Sequence, residues 1–457
     1  MMLGVRRQWA LPDKPATLVG LGVAGFALVL CWILLGGSKH SYAAAVALAV
    51  FPFCCYLAAY RPMIFPFGLF ALLLPFDNLL DFSTFGTLTK LIAGVSAICV
   101  FLWTVRERRF IAPPHALFVW IAFLGWAAAT SFWALNVTDA IPMLVTYVLL
   151  IGLFGVMSVV EISQQDLWFV FAAVVGGGLI AAIYGAYYYH THAVGLQAGD
   201  LARLFVRVGE NRSIDPNHFA NGLLLPLALV LTMFWSAKHL LLKAGYCVVI
   251  VTILAAMYFA ASRGAFVGVA AMFAFFLFYG RHRLQTVVTA TLAALVGVAS
   301  GSSIVQRFAV AGSSEGAGRL SLWRVGYHAF TKRWLSGWGV GNYQNAYDAS
   351  YLSVYQDHPN PWHFNAHDLI VYSSVEFGII GLILVLAGFV SAFLIVRSIG
   401  KDHPLFDFRI AVQGAIIAMF IVSLTVDVLW YKYLWMAFIA AALVRSAGRR
   451  HVHRHGP

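Results

Sequence analysis

"HDLIVYSSVEFGIIGLILVLAGFVSAFLIV", His367 to Val396, is the stretch that decides how this chain folds. From Leu369 onward it is predominantly apolar for longer than the ~20 residues that a helix needs to cross a bilayer. Its polar groups are few and placed. His367 and Asp368 stand at the threshold, and Glu376 follows about two and a half turns deeper. A polar side chain at such a place is costly unless it is satisfied or used. Three readings are open for the pair: a helix cap, a metal ligand or a base.

Runs of this kind fill the chain. Of 457 residues, 61% are hydrophobic and 11% charged, and the mean hydropathy is +0.82. A soluble globule is about half apolar and about a quarter charged, so a soluble domain is excluded. Spans are expected near 17–36, 42–60, 62–77, 88–105, 116–134, 140–160 and 167–187, then near 221–236, 245–262, 264–280, 286–304, 369–396, 410–428 and 432–446. The fold class is therefore an all-α polytopic membrane protein, a bundle of about 12–14 transmembrane helices by hydropathy. The chain divides into N-terminal membrane helices (1–187), a polar loop (188–220), central helices (221–304), a large loop domain (305–368) and C-terminal helices with a basic tail (369–457).

The net charge is +12. In a membrane protein such an excess belongs to cytoplasmic loops, not to a nucleic-acid partner. "RRQWALPDK", "RPM", "RERR", "AKHLLLK", "RHR", "RSIGK" and "RSAGRRHVHRH" all fall on one side of the span set. That side is then cytoplasmic, both termini included, and the two long polar segments face the other way. The basic start lacks a small-residue cleavage site and reads as an anchor. Cys31, Cys54, Cys55, Cys99 and Cys247 lie in apolar runs without metal or disulfide spacing, and read as packing residues.

The large loop carries Trp323, Trp334, Trp338, Tyr343, Tyr347, Tyr351, Tyr355 and Trp362, too aromatic for disorder, and is expected to form a helical cap. No internal repeat or inverted half is visible, which speaks against a transporter. A structural scaffold leaves Arg263, inside the apolar run "FAASRGAFVGV", without a reason.

Several segments carry possible chemistry. "DLARLFVRVGENRSIDPNHFANG" holds Arg203, Arg207 and Arg212 next to the bilayer. They read either as a solvated basic face or as an anion clamp, since guanidinium forks match phosphate oxygens in pairs. In "DPN", Asp215 or Asn217 suits a helix cap and Pro216 a turn. "GRLSLWRVGYHAFTKRWLSGWGVGNY" begins at Gly318 with Arg319 next, then an amphipathic helix and three glycines that permit a close turn. "GWGVGN" lacks the strand and spacing of a dinucleotide fingerprint. His363 and His367 have metal spacing, with Asp357 and His358 nearby, but Pro359 and Pro361 break the helix and no glutamate sits inside the pair. No metal or cofactor is expected. A neutral imidazole near pH 7 accepts a proton, which makes His367 a candidate general base. Asp368 suits the first turn of its helix, and Glu376 a bond within the bundle.

Taken in order, "RVGENRSIDPNHFA", "SRGAF", "GRLSLWRVGYHAF…GWGVGNY" and "AHDLIVYSSVEFGIIG" resemble the O-antigen ligase family and its relatives, the lipid-linked polysaccharide polymerases. The resemblance covers roughly the second half of the chain. Where the family commonly has His-Asn, this chain has His367-Asp368, so a carboxylate replaces a neutral amide. The resemblance implies a glycosyltransferase of the Gram-negative inner membrane with a periplasmic active site. It would be metal-independent and inverting, with undecaprenyl diphosphate carrying the glycan donor and lipid A–core, or another lipid-linked repeat, as acceptor. His367 and Arg263 would be its catalytic residues. Arg203, Arg207, Arg212 and Arg319 would bind the diphosphate, with Asn217, Asp368 and Glu376 in support.

Overall fold

The structure is a computed structural model that describes residues 51–77, 81–82, 86–191, 204, 206–207, 213–299, 319–355 and 364–455. The helices in chain order are α1 (Phe51–Tyr60), α2 (Phe67–Leu73), α3 (Leu88–Glu107), α4 (His115–Thr130), α5 (Val137–Val159), α6 (Gln164–Thr191), α7 (Pro216–Gly222) and α8 (Leu224–Ser236). They continue with α9 (Leu240–Ala260), α10 (Arg263–Tyr279), α11 (Arg283–Ala299), α12 (Arg319–Lys332), α13 (Tyr343–Val354), α14 (Leu369–Leu394), α15 (Phe406–Ser423) and α16 (Lys432–His455). There are also two small antiparallel ladders: β1 (Asp81–Phe82) with β2 (Gly86–Thr87), and β3 (Val206–Arg207) with β4 (Ser213–Ile214). Among the described residues, eight helices are long and apolar enough to cross a membrane. The chain is an all-α polytopic membrane protein.

The apolar runs differ in what surrounds them. Leu434 to Val444 of α16 is buried on every face, and so is nearly all of the α7–α8 run. These are the central helices. α3, α4 and α9 keep Leu91, Ile98, Phe118, Ile121, Val248 and Val251 on the outside, where lipid replaces protein as the apolar solvent. Glycines let neighbours approach: a Cβ at Gly268 on α10 would meet the Ala418 carbonyl of α15 at 3.0 Å, and one at Gly388 on α14 would meet the Trp120 ring of α4 at 2.5 Å.

Several expected boundaries move, each for a local reason. The span expected at 62–77 is broken into α2 and a 3-10 turn, Leu74–Phe76, between Pro66 and Pro75. The polar loop expected from 188 to 220 is shorter at both ends, because α6 runs to Thr191 and α7 starts at Pro216. The helix expected to end at 428 ends at Ser423 and gives way to a non-helical stretch that contains Asp427. The expected spans near 17–36 and the first part of 42–60 lie outside the described residues.

α12 and α13 pack on each other and on the start of α14, with Val325, Gly326 and Ala329 of α12 facing inward. At the opposite end of the bundle, Arg445 of α16 donates to the Ala112 carbonyl at 2.8 Å, and Ser446 binds the backbone of Val160 and Ile162. Basic segments 106–109 and 445–449 thus share the end remote from α12 and α13.

Candidate active site

α14 begins with an unusual residue. His367 has φ 48°, in the left-handed region that side-chain-bearing residues rarely occupy. Asp427, from the stretch between α15 and α16, holds it there. One carboxylate oxygen accepts the N–H of His367 and the other that of Asp368, both at 3.1 Å. Asp427 is only 3% exposed. Asp368 then caps the helix by accepting the Val371 N–H at 2.8 Å. The cap reading therefore holds for Asp368 and leaves His367 without a structural duty: its imidazole makes no hydrogen bond among the described residues.

Two guanidinium groups belong to the same neighbourhood. α9 ends at Ala261 with φ 49°, Ser262 caps the next helix through the Ala265 N–H, and Arg263 is its first residue. Arg319 is the first residue of α12, which is tied down beside the loop to His367 by Trp323 Nε1 donating to the Ala366 carbonyl at 3.1 Å. Burial lowers the pKa of Arg319, and the Arg263 charge lowers it further, while Asp215, Asp427 and Asp368 oppose both. Burial also lowers that of His367; Arg319 adds to this, and Asp215 works against it. The imidazole is thereby kept neutral at pH 7, the form that can accept a proton. Burial raises the carboxyl of Asp368, and that of Asp427 to about 7.

Beneath the pair, α14 is interrupted. Gly378 has φ 67° and ψ −169°, a conformation open essentially to glycine alone. The carbonyls freed by the break are taken up by neighbours. Trp338 N–H binds the Val375 carbonyl at 2.9 Å, Gly339 N–H binds that of Glu376 at 2.9 Å, and Trp126 Nε1 binds that of Phe377 at 2.8 Å. Ile379 N–H in turn reaches the Trp334 carbonyl at 2.8 Å. A Cβ at Gly378 would lie 2.2 Å from the Leu335 carbonyl oxygen, and one at Gly337 would lie 2.3 Å from that of Glu376. The "GWGVGN" turn is thus the partner strand of a broken membrane helix. Glu376, 1% exposed, locks it by accepting the N–H groups of Gly341 at 2.9 Å and Tyr343 at 3.1 Å and the Tyr372 hydroxyl at 2.6 Å.

The first polar loop enters from the other side. Asp215 caps α7 by accepting the Asn217 N–H at 2.7 Å, so Asp215 rather than Asn217 is the cap. Leu204 N–H anchors the loop to the Phe259 carbonyl at 2.9 Å, just before the Arg263 turn. Arg207 lies in β3, opposite Ser213. Arg203, Arg212, Asp357, His358 and His363 lie outside the described residues. Among the described residues no group of three His, Cys, Asp or Glu side chains is placed to hold a metal ion.

Sequence reasoning passed over residues that the fold brings here. His218 of α7 stacks on Tyr431, with ring centroids 3.8 Å apart, and meets the Tyr433 hydroxyl through Nδ1 at 3.0 Å. Lys432, the first residue of α16, pairs with Asp77 and reaches the hydroxyls of Thr87 and Thr89, each at 3.0 Å. Asp427 was legible in principle as an ionisable group inside the apolar run "IVSLTVDVLW". His218 had no such signal, because it follows a proline turn in a loop-like context.

Comparison with known families adds one match. Residues 248–386 match the family model described as O-Antigen ligase. Arg263, Arg319, His367 and Glu376 fall inside the matched segment, whereas His218 and Asp427 fall outside it. No curated protein matches the chain.

Proposed function

We propose that this chain is a membrane glycosyltransferase of ligase or polymerase type, as the O-Antigen ligase model matching residues 248–386 supports, and that it moves a glycan from undecaprenyl diphosphate to a sugar hydroxyl of lipid A–core. What supports the reading is a half-buried His367 whose ring makes no hydrogen bond among the described residues, with the Arg319 helix tied beside it by Trp323 and the Arg263 charge acting on Arg319.

In this mechanism His367 takes the proton of the acceptor hydroxyl, directly or through a water. The oxygen attacks the anomeric carbon, a new C–O bond forms, and the bond to the diphosphate breaks. The electron pair leaves with the phosphate oxygen as undecaprenyl diphosphate. Arg263 and Arg319 lie where they can meet that growing negative charge, and preorganised cations in a water-poor site stabilise such a transition state most. Arg203, Arg207 and Arg212 complete the diphosphate clamp. A base on the face opposite the leaving group inverts the anomeric centre in one displacement, as in inverting glycosidases. Asp427, Asp368 and Glu376 act through the backbone: they hold the His367 turn and the glycine turn against α14. The site faces the periplasm of a Gram-negative inner membrane, with the basic loops and both termini in the cytoplasm.

The test offers purified protein an undecaprenyl-diphosphate-linked glycan with lipid A–core, or with a second lipid-linked repeat. Transfer to lipid A–core that disappears in folded His367→Ala supports the proposal. Extension of the lipid-linked repeat alone makes the protein a polymerase. Undiminished turnover in folded His367→Ala ends the general-base assignment.

A further inference from the structure

The mechanism above leaves one well-positioned group without a task. His218 stands on α7, outside the segment that matches the family model. Its imidazole is fixed twice: the Tyr431 ring lies nearly parallel to it, at 19°, and the Tyr433 hydroxyl occupies Nδ1 at 3.0 Å. Both tyrosines flank the start of α16, and turning the ring over would break the Tyr433 hydrogen bond. Nε2 makes no hydrogen bond among the described residues. The side chain is only partly buried, as are those of Tyr431, Trp430 and His367. Asp427, which holds the His367 turn, and Tyr431, on which His218 stacks, lie in one short non-helical stretch, and this stretch brings the two rings into one neighbourhood. A ring needed only for packing has no use for an orientation this specific.

Resting on the proposed glycosyl transfer, we propose that His218 is a substrate-contacting residue whose Nε2 hydrogen-bonds the acceptor sugar and presents its hydroxyl to His367. The acceptor is favoured over the diphosphate by charge. A ring held between two phenols offers a single neutral hydrogen bond, which suits an uncharged alcohol, whereas Arg263 and Arg319 already answer the anion. Trp430 supplies a second feature that sugars use. It packs beside Tyr372 and Tyr431, with centroids 4.8 and 5.8 Å away, and retains some exposure, so its open surface can meet the C–H surface of a pyranose. Tyr433 is then a positioning residue, since it sets which ring nitrogen points to the substrate.

The experiment uses the full-length protein in detergent, an undecaprenyl-diphosphate-linked oligosaccharide as donor, and purified lipid A–core or a lipid-linked repeat as acceptor, each varied separately. His218→Ala should raise the acceptor KM on the order of tenfold, as expected for one lost neutral hydrogen bond. The donor KM and the acid limb of the pH–rate profile should stay as in the wild type. His218→Gln, which keeps a hydrogen-bonding group, should recover most of the loss, and Tyr433→Phe should raise the acceptor KM by a smaller factor. If His218→Ala fails to fold, the last two variants carry the test. An unchanged acceptor KM overturns the inference, as does an equal rise in both KM values. Loss of the acid limb would overturn it too, because His218 would then be the base. If the wild type transfers glycan to neither acceptor, the glycosyl-transfer reading falls first; if it transfers normally and only the KM prediction fails, the role of His218 alone falls.

Discussion

Replacing Asp427 with alanine should cripple transfer while the bundle stays folded. The Asp427 carboxylate accepts the N–H groups of His367 and Asp368, each at 3.1 Å, and alanine orphans both. A buried donor left unsatisfied costs ~1–3 kcal/mol. The N–H of Asp368 belongs to a buried residue, whereas that of His367 is near enough to solvent to recover part of its loss. The pair together is then worth about 2–4 kcal/mol. A left-handed residue with a side chain carries a further ~1–2 kcal/mol of backbone strain. With its anchor gone, that strain drives His367 from φ 48° into a common region and swings the imidazole away. A displacement of about 1 Å in a reacting group costs roughly a hundredfold in rate. The assay is transfer from undecaprenyl-diphosphate-linked glycan by the purified variant, with thermal unfolding in detergent as the folding control. At least a hundredfold loss is expected, and Asp427→Asn, which keeps one acceptor oxygen, should recover part of it. An Asp427→Ala protein that turns over like the wild type would refute the claim that this carboxylate sets the base.

Gly378→Ala should be worse for stability than any exposed-helix substitution. Its Cβ would lie 2.2 Å from a backbone oxygen, and φ 67° adds strain of about 1–3 kcal/mol, so limited proteolysis should find the 333–342 turn released. Transfer should fall as pH drops, first as Asp427 takes a proton near pH 7 and then as His367 takes one below the ordinary histidine value of about 6.5. In Asp427→Asn only the lower limb should remain in the pH–rate profile. Arg263→Ala should lose about a hundred- to thousandfold in kcat, as for one preorganised charge donor, while inserting into membranes normally. EDTA should leave transfer unchanged; activity lost with chelator and restored by one ion would instead revive a metal role for His363 and His367.

Much of this molecule was legible because membrane folding is dominated by one local rule. A span must satisfy its own backbone, so apolar length alone announces α3 to α6, α9 and α14. Capping is equally local: Asp215 and Asp368 each meet an N–H two or three residues ahead. The arginines at the helix threshold were visible for the same reason, as charges where hydrocarbon begins.

What the residues alone determined, then, was most of the spans from Leu88 onward and the helix starts at Asp215 and Asp368, with His367 as the candidate base. Only the tertiary structure decided which groups surround it. Asp427 lies 60 positions further along the chain than His367, and Tyr433 lies 215 beyond His218, and no local pattern connects such pairs. The break at Gly378 was hidden in the same way. A glycine inside an apolar run reads as a packing residue until the turn at 334–341 arrives to take up the freed carbonyls. Periodicity and propensity describe what a segment does with its own backbone. A site is made where several segments each leave a group unsatisfied, and that can be read only once the chain has brought them together.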